Sequence, residues 1–77
     1  MSRKRFDVVP DGKKWNVTSD GEVVSSHRTK QVAVDNAAQK GRGIEQRGGE
    51  AQVVIHKQDG VIQSERTYGN DPKKTPG

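Results

Sequence analysis

Short apolar runs alternate with turn-forming residues along the chain, and the spacing within the runs shifts from two to three or four and back. Phe6, Val8 and Pro10 alternate with Asp7 and Val9, the period of a half-buried strand. Asp11-Gly12-Lys13-Lys14 breaks this run. Glycine accepts positive φ there, and an aspartate can bond its own downstream backbone. Trp15-Asn16-Val17-Thr18 resumes the alternation and closes a hairpin. Asp20-Gly21 signals a second turn, and Glu22 to His27 reads as a third short strand around Val23 and Val24.

Thr29 is placed to cap a helix, with its hydroxyl accepting from an otherwise unpaired first-turn amide. Val32 stands where a capping box would need an acid. Ala33, Ala37, Gly41 and Ile44 follow helical spacing, with Val34 and Ala38 beside them and Gln31, Asp35, Gln39, Arg42 and Gln46 opposite. Gly48-Gly49 stops the pattern, which predicts a helix over residues 30–47. Gly41 and Gly43 each weaken that helix by up to roughly 1 kcal/mol relative to alanine. They either permit close helix–sheet contact or let the last turns fray. Ala51 to His56 is the most apolar segment, Gln58-Asp59-Gly60 is a turn, and Val61 to Thr67 is the returning strand. The predicted fold is α+β: a small antiparallel sheet of two hairpins, β-β-(β)-α-β-β, with one helix on one face. Residues 1–5 read as a flexible basic arm, 6–70 as a single domain and 71–77 as an irregular tail.

Several predicted strands carry adjacent aliphatics: Val8-Val9, Val23-Val24, Val53-Val54-Ile55 and Val61-Ile62. Strand neighbours point to opposite faces, so both faces of the sheet are partly apolar, yet one helix covers only one. The other face would expose a row drawn from Val9, Val24 and Val54, the kind of patch that marks an interface. Either a second copy or a ligand meets that row, or Trp15, lysine stems and the tail fold over it.

Composition sharpens this picture. The 77 residues include ten Val, three Ile and one Phe but no Leu, so a small core must come from β-branched side chains. A chain of this size buries only about 60% of its unfolded surface, which makes a partner subunit attractive. With no cysteine there are no disulfides and no thiolate chemistry. No segment approaches the roughly 20 apolar residues of a membrane helix, and Met1 to Arg5 is followed by no apolar run, so neither a membrane span nor an export signal is expected. A cytoplasmic protein fits. The net charge of +4 comes from the ends, since residues 6–70 hold nine basic and nine acidic side chains.

Candidate chemistry is sparse. Ser25, Ser26 and His27 are adjacent, but no elbow motif surrounds them. Two histidines without clustered carboxylates make a poor metal site, and no cofactor motif stands out. Gly41-Arg42-Gly43 lies at a helix end, where the dipole repels anions. The Asp-Gly pairs lack calcium-loop spacing. Nucleic acid is an open alternative: Trp15 and Tyr68 could stack on bases, and Arg3, Lys4, Arg5, Arg28, Lys30, Lys40 and Arg42 are candidate phosphate contacts.

Residues 54–63, Val-Ile-His-Lys-Gln-Asp-Gly-Val-Ile-Gln, followed by Thr67-Tyr68-Gly69-Asn70-Asp71-Pro72, resemble a bacterial family called domain of unknown function 2188. So do Val8-Val9-Pro10, the hairpin from Gly12 to Trp15-Asn16-Val17, and Thr29-Lys30 opening a helix with Ala37-Ala38. The resemblance spans residues 6–77. It implies a short stand-alone bacterial or phage-borne protein and assigns no activity. The family's helix is usually rich in Ala, Glu and Leu, whereas Gly41-Arg42-Gly43 interrupts this one.

The expectation from the residues is a non-enzymatic binding or accessory module. It would act through the uncovered sheet face as a homodimer, with Val9, Trp15, Val24, Val54, His56, Asp59 and Tyr68 as the candidate surface. A nucleic-acid-binding module is the first alternative. A tiny enzyme using His56 with Asp59 is the second.

Overall fold

The computed structural model describes residues 3–69. The elements are β1 (Lys4–Asp11), β2 (Lys14–Ser19), β3 (Glu22–His27), α1 (Lys30–Gln46), β4 (Ala51–His56) and β5 (Ile62–Tyr68). They form one five-stranded sheet of order β3-β2-β1-β4-β5 with α1 across one face, an α+β fold. The predicted arm is shorter than expected, because Lys4 and Arg5 already belong to β1. The predicted tail, residues 71–77, lies outside the described residues.

Local chemistry builds the hairpins. Asp20 and Gly21 both take left-handed φ, 55° and 82°, between paired Ser19 and Glu22. That is the pattern of a type I′ turn, whose twist matches the flanking strands. Thr29 caps α1, its hydroxyl accepting from the Val32 amide at 3.2 Å. At the other end Gly48 donates to the Glu45 carbonyl and Gly49 to the Ile44 carbonyl, both at 2.9 Å, with Gly48 left-handed. These are the two bonds of a Schellman cap.

The sheet is mixed where an antiparallel one was predicted. Three strand pairings are antiparallel, but β1 pairs with β4 in parallel, Phe6 beside Val53 and Val8 beside Ile55. The cause is the helix. It carries the chain back across the sheet, so β4 starts at the same end as β1 and β3. The parallel pair lies at the centre of the strand order, under the helix.

The core is the layer between α1 and the sheet: Phe6, Val8, Val17, Ala51, Val53 and Ile55 face Ala33, Val34 and Ala37. Small residues on α1 let it sit close. Gly41 is buried, and a Cβ built there would stand 2.7 Å from Cδ2 of the Tyr68 ring. Close contact, and not fraying, is therefore the role of this glycine, and α1 continues through it to Gln46. A Cβ at Gly43 would meet nothing within 4 Å.

The two glycines should respond in opposite ways. Gly43→Ala removes a helix penalty at no steric cost and should stabilise by about 0.5–1 kcal/mol. Gly41→Ala gains the same propensity but must displace the Tyr68 ring, an overpacking cost of about 1–3 kcal/mol. Thermal unfolding of both variants checks this: Gly43→Ala raises Tm and Gly41→Ala lowers it.

Candidate functional site

The face without the helix is polar, and this corrects the expected apolar row. Val54 points to it but is only 1% exposed. Its cross-strand neighbours are Asp7 on β1 and Glu65 on β5, and Gln52 and His56 flank it along β4. Gln52 donates to Glu65 at 2.8 Å, and His56 Nε2 lies 2.9 Å from Asp7 Oδ2. These side chains roof the valine without a partner chain. Val9 is half-buried on the same face beside Asn16, while Val24 is exposed on the edge strand β3. Trp15 and Tyr68 pack against the core from the helix side, so neither contributes to the uncovered face.

Two hydrogen-bonded networks occupy that face. In one, Asn16 donates to Asp11 at 2.9 Å and accepts from Ser26 at 2.7 Å. In the other, the Arg5 guanidinium grips both Asp7 oxygens at 2.8 and 3.0 Å, and His56 joins from β4. The His56 ring has its Nδ1 3.0 Å from the Gly60 carbonyl, which can only accept. An ionised Asp7 carboxylate is likewise acceptor-only. The two ring nitrogens thus each face an oxygen, one from the β4–β5 turn and one from β1. Burial works to raise the Asp7 pKa, but hydrogen bonds and charge from Arg5 and His56 outweigh it and hold the carboxyl below its ordinary range.

The suggested pairing of His56 with Asp59 does not form. Asp59 turns back to accept from the Val61 amide at 3.0 Å, as turn aspartates do, while His56 is committed to Asp7 and Gly60. Ser25 and His27 share a strand face, with Ser25 Oγ 2.9 Å from His27 Nε2. The serine hydroxyl donates to Asn36 at 3.1 Å, so it accepts from the ring and is not activated by it. Among the described residues no three His, Asp or Glu side chains converge as metal ligands, and no helix is long and apolar enough to cross a membrane.

The candidate phosphate contacts do not gather on one surface. Arg3, Lys4 and Arg5 pair with Glu50, Asp20 and Asp7 respectively. Arg28 precedes α1, and Lys40 and Arg42 lie ten and more residues further along the helix. Lys30 stands apart. Its ammonium lies 5.2 Å from the centre of the Trp15 ring and donates to the Gln63 side chain. Both partners are neutral, and among the described residues no acid pairs with it.

Lys30 also lines the feature that the sequence did not reveal, a groove of 440 Å³ between α1 and β5. Lys30, Gln31 and Val34 form the helix wall, Gln63, Ser64 and Arg66 the strand wall, and Ile55 the floor. The groove exists because α1 packs on β5 at its Tyr68 end and leaves the helix-side positions Ser64 and Arg66 bare. Ser64 pairs with Ile55 and Arg66 with Val53, so both project on the helix side. Among the described residues neither Lys30 nor Arg66 enters an ion pair. The first turn of α1 holds no acid, leaving the positive end of the helix dipole unopposed beside the groove. The nearest helical acid, Asp35, is held by Gln31 at 3.0 Å.

Because Asp7 is shifted down on folding, its contribution is present above the ordinary carboxylate pKa and is lost as pH falls through the lower folded value. At neutral pH, Asp7→Asn should therefore be less stable by about 1–3 kcal/mol. The gap should close on acidification from about pH 6 to about pH 2. Denaturant midpoints across that range check this; a gap independent of pH would contradict the assignment.

A search of curated proteins and of solved structures finds no match to the chain. A family model does match, over residues 6–68, from the first core residue of β1 to the tyrosine that packs on Gly41. The Gly-Asn-Asp-Pro stretch from residue 69 lies beyond the match. The matched span takes in all three strand turns and the whole of α1, and on that ground the chain belongs to the bacterial family described as "Uncharacterized protein conserved in bacteria (DUF2188)".

Proposed function

We propose that the chain is a non-enzymatic binding module that takes an anionic partner into the groove between α1 and β5. One observation carries this reading: Lys30 and Arg66, both without an ion pair among the described residues, face a common groove whose lining includes apolar Ile55 and Val34. On the uncovered sheet face the polar groups satisfy one another, as in the Arg5–Asp7–His56 and Asp11–Asn16–Ser26 networks. Cations held beside apolar surface, with only neutral neighbours, suit carboxylates or phosphates carried on a partly apolar ligand. The uncovered face is less suited to a homodimer than its sequence implies, since Val54 is already roofed. A second copy would find unpaired backbone along the free edges β3 and β5 instead.

A nucleic-acid partner is the second reading. It draws support from Lys30 over Trp15 with Arg28 exposed just before the helix. Its phosphate contacts would be few, because the three basic residues of the N-terminal segment are paired with acids.

Titration of the isotopically labelled protein with poly-glutamate, with poly-lysine as control at matched ionic strength, tests the groove. Amide shifts should concentrate at residues 30–34 and 63–66 and should fall by roughly tenfold in apparent affinity when Lys30→Gln and Arg66→Gln are combined. Shifts absent, or unchanged in the double variant, would contradict the reading. Oligonucleotide binding centred on Trp15 and Arg28 would favour the alternative.

A further inference from the structure

We infer that the partner of this groove is an extended acidic peptide that pairs with the free edge of β5 as a sixth strand, an inference that rests on the anion-binding reading above. β5 ends the strand order, so among the described residues no strand lies beside one side of its backbone. It runs seven residues, Ile62–Tyr68, and all but Tyr68 are exposed. Natural edges are usually blunted by charged side chains, lysine above all, by proline, short length or a bulge; the charges on β5 are one acid and one base, Glu65 and Arg66. β5 contains neither lysine nor proline, and its register irregularity sits at its start, opposite Ile55 and His56. From Ser64 to Tyr68 the pairing with β4 is regular. A regular, exposed edge beside a groove is the setting in which extended peptides add to sheets, with main-chain bonds giving affinity and alternate side chains giving selectivity.

Charge specifies the peptide. Along β5, Ser64 and Arg66 project to the helix side, and Glu65 and Thr67 to the open side. A sixth strand would alternate in the same way. Its helix-side residues would reach the groove rim beside Arg66 and Lys30, where carboxylates are favoured. Its open-side residues would stand beside Glu65, which disfavours acids there. The fitting sequence therefore carries acids at every second position and neutral residues between, in contrast to a block of acids.

The test uses a short peptide of alternating glutamate and threonine. Controls are a peptide of the same composition with the glutamates in one block, an alternating lysine–threonine peptide, and the alternating acidic peptide N-methylated at every second residue. Amide exchange of the full chain is followed with each. The expected result is binding of the alternating acidic peptide, new exchange protection of outward-facing β5 amides, and roughly tenfold weaker binding for the block and for the N-methylated peptide. The lysine peptide should not bind, a control that needs no altered protein. Arg66→Gln, checked for native circular dichroism, should weaken the acidic peptide alone. Undiminished binding after N-methylation, or binding without new β5 protection, would overturn the sixth strand while leaving anion binding intact. Preference for a single-stranded oligonucleotide would overturn the peptide but not the groove. Failure of every anion to bind would overturn both.

Discussion

Val8 and Ile55 lie side by side across the parallel pair β1–β4, and both are buried under the helix. This non-local pairing joins the two halves of the chain. On one side of it, Phe6, Val8, Val53 and Ile55 make the floor on which α1 rests. On the other, Asp7 and His56 meet across the same two strands and roof Val54. The first three strands could form a meander and the last two a hairpin by local rules. Only the β1–β4 contact, with the helix laid over it, makes them one sheet.

A chain without leucine has little apolar volume to spend, and the structure economises by proximity. Ala33, Ala37 and Gly41 bring the helix backbone close to the sheet, so small β-branched side chains suffice to fill the layer. The open face is closed differently, by side-chain pairs that hydrogen-bond one another. The same helix that seals the inner strands reaches β5 at Tyr68 but leaves its helix-side positions Ser64 and Arg66 uncovered. A helix is about 10 Å across, and five strands at about 4.8 Å spacing are nearly twice as wide. Part of an edge strand must then lie bare. Here it carries Arg66 beside Lys30, and the groove follows from the geometry of the fold.

The elements set by nearby residues were legible in the sequence. Asp20-Gly21 fixed a turn, Thr29 a cap and Gly48-Gly49 a stop, each within a few positions. The parallel pairing was not legible, because Phe6 and Val53 meet only after the helix has reversed the chain. Alternation correctly sent Val54 to the face opposite the helix. It could not show that Asp7 and Glu65, from strands remote in sequence, would cover it. Lys30 was named as a candidate, but Arg66, Gln63 and Ser64 were missed. The available signal was polar residues at alternate positions 64 and 66, next in space to apolar Ile55 and Val53. Polar side chains on the core side of a strand mark where the helix stops covering the sheet. Their partners become known only once the register is.

Native-state hydrogen exchange tests the central role of the β1–β4 pair most directly. Amides bridging these strands, from Lys4, which donates to Glu50 at 3.0 Å, through the Val8–Ile55 level, should exchange only by global unfolding. Their opening free energies should equal the stability from denaturant melts, with β3 and β5 amides opening earlier. Bridging amides that exchange ahead of those within the β1–β2 or β4–β5 hairpins would show that the halves separate before they unfold, and would contradict the account.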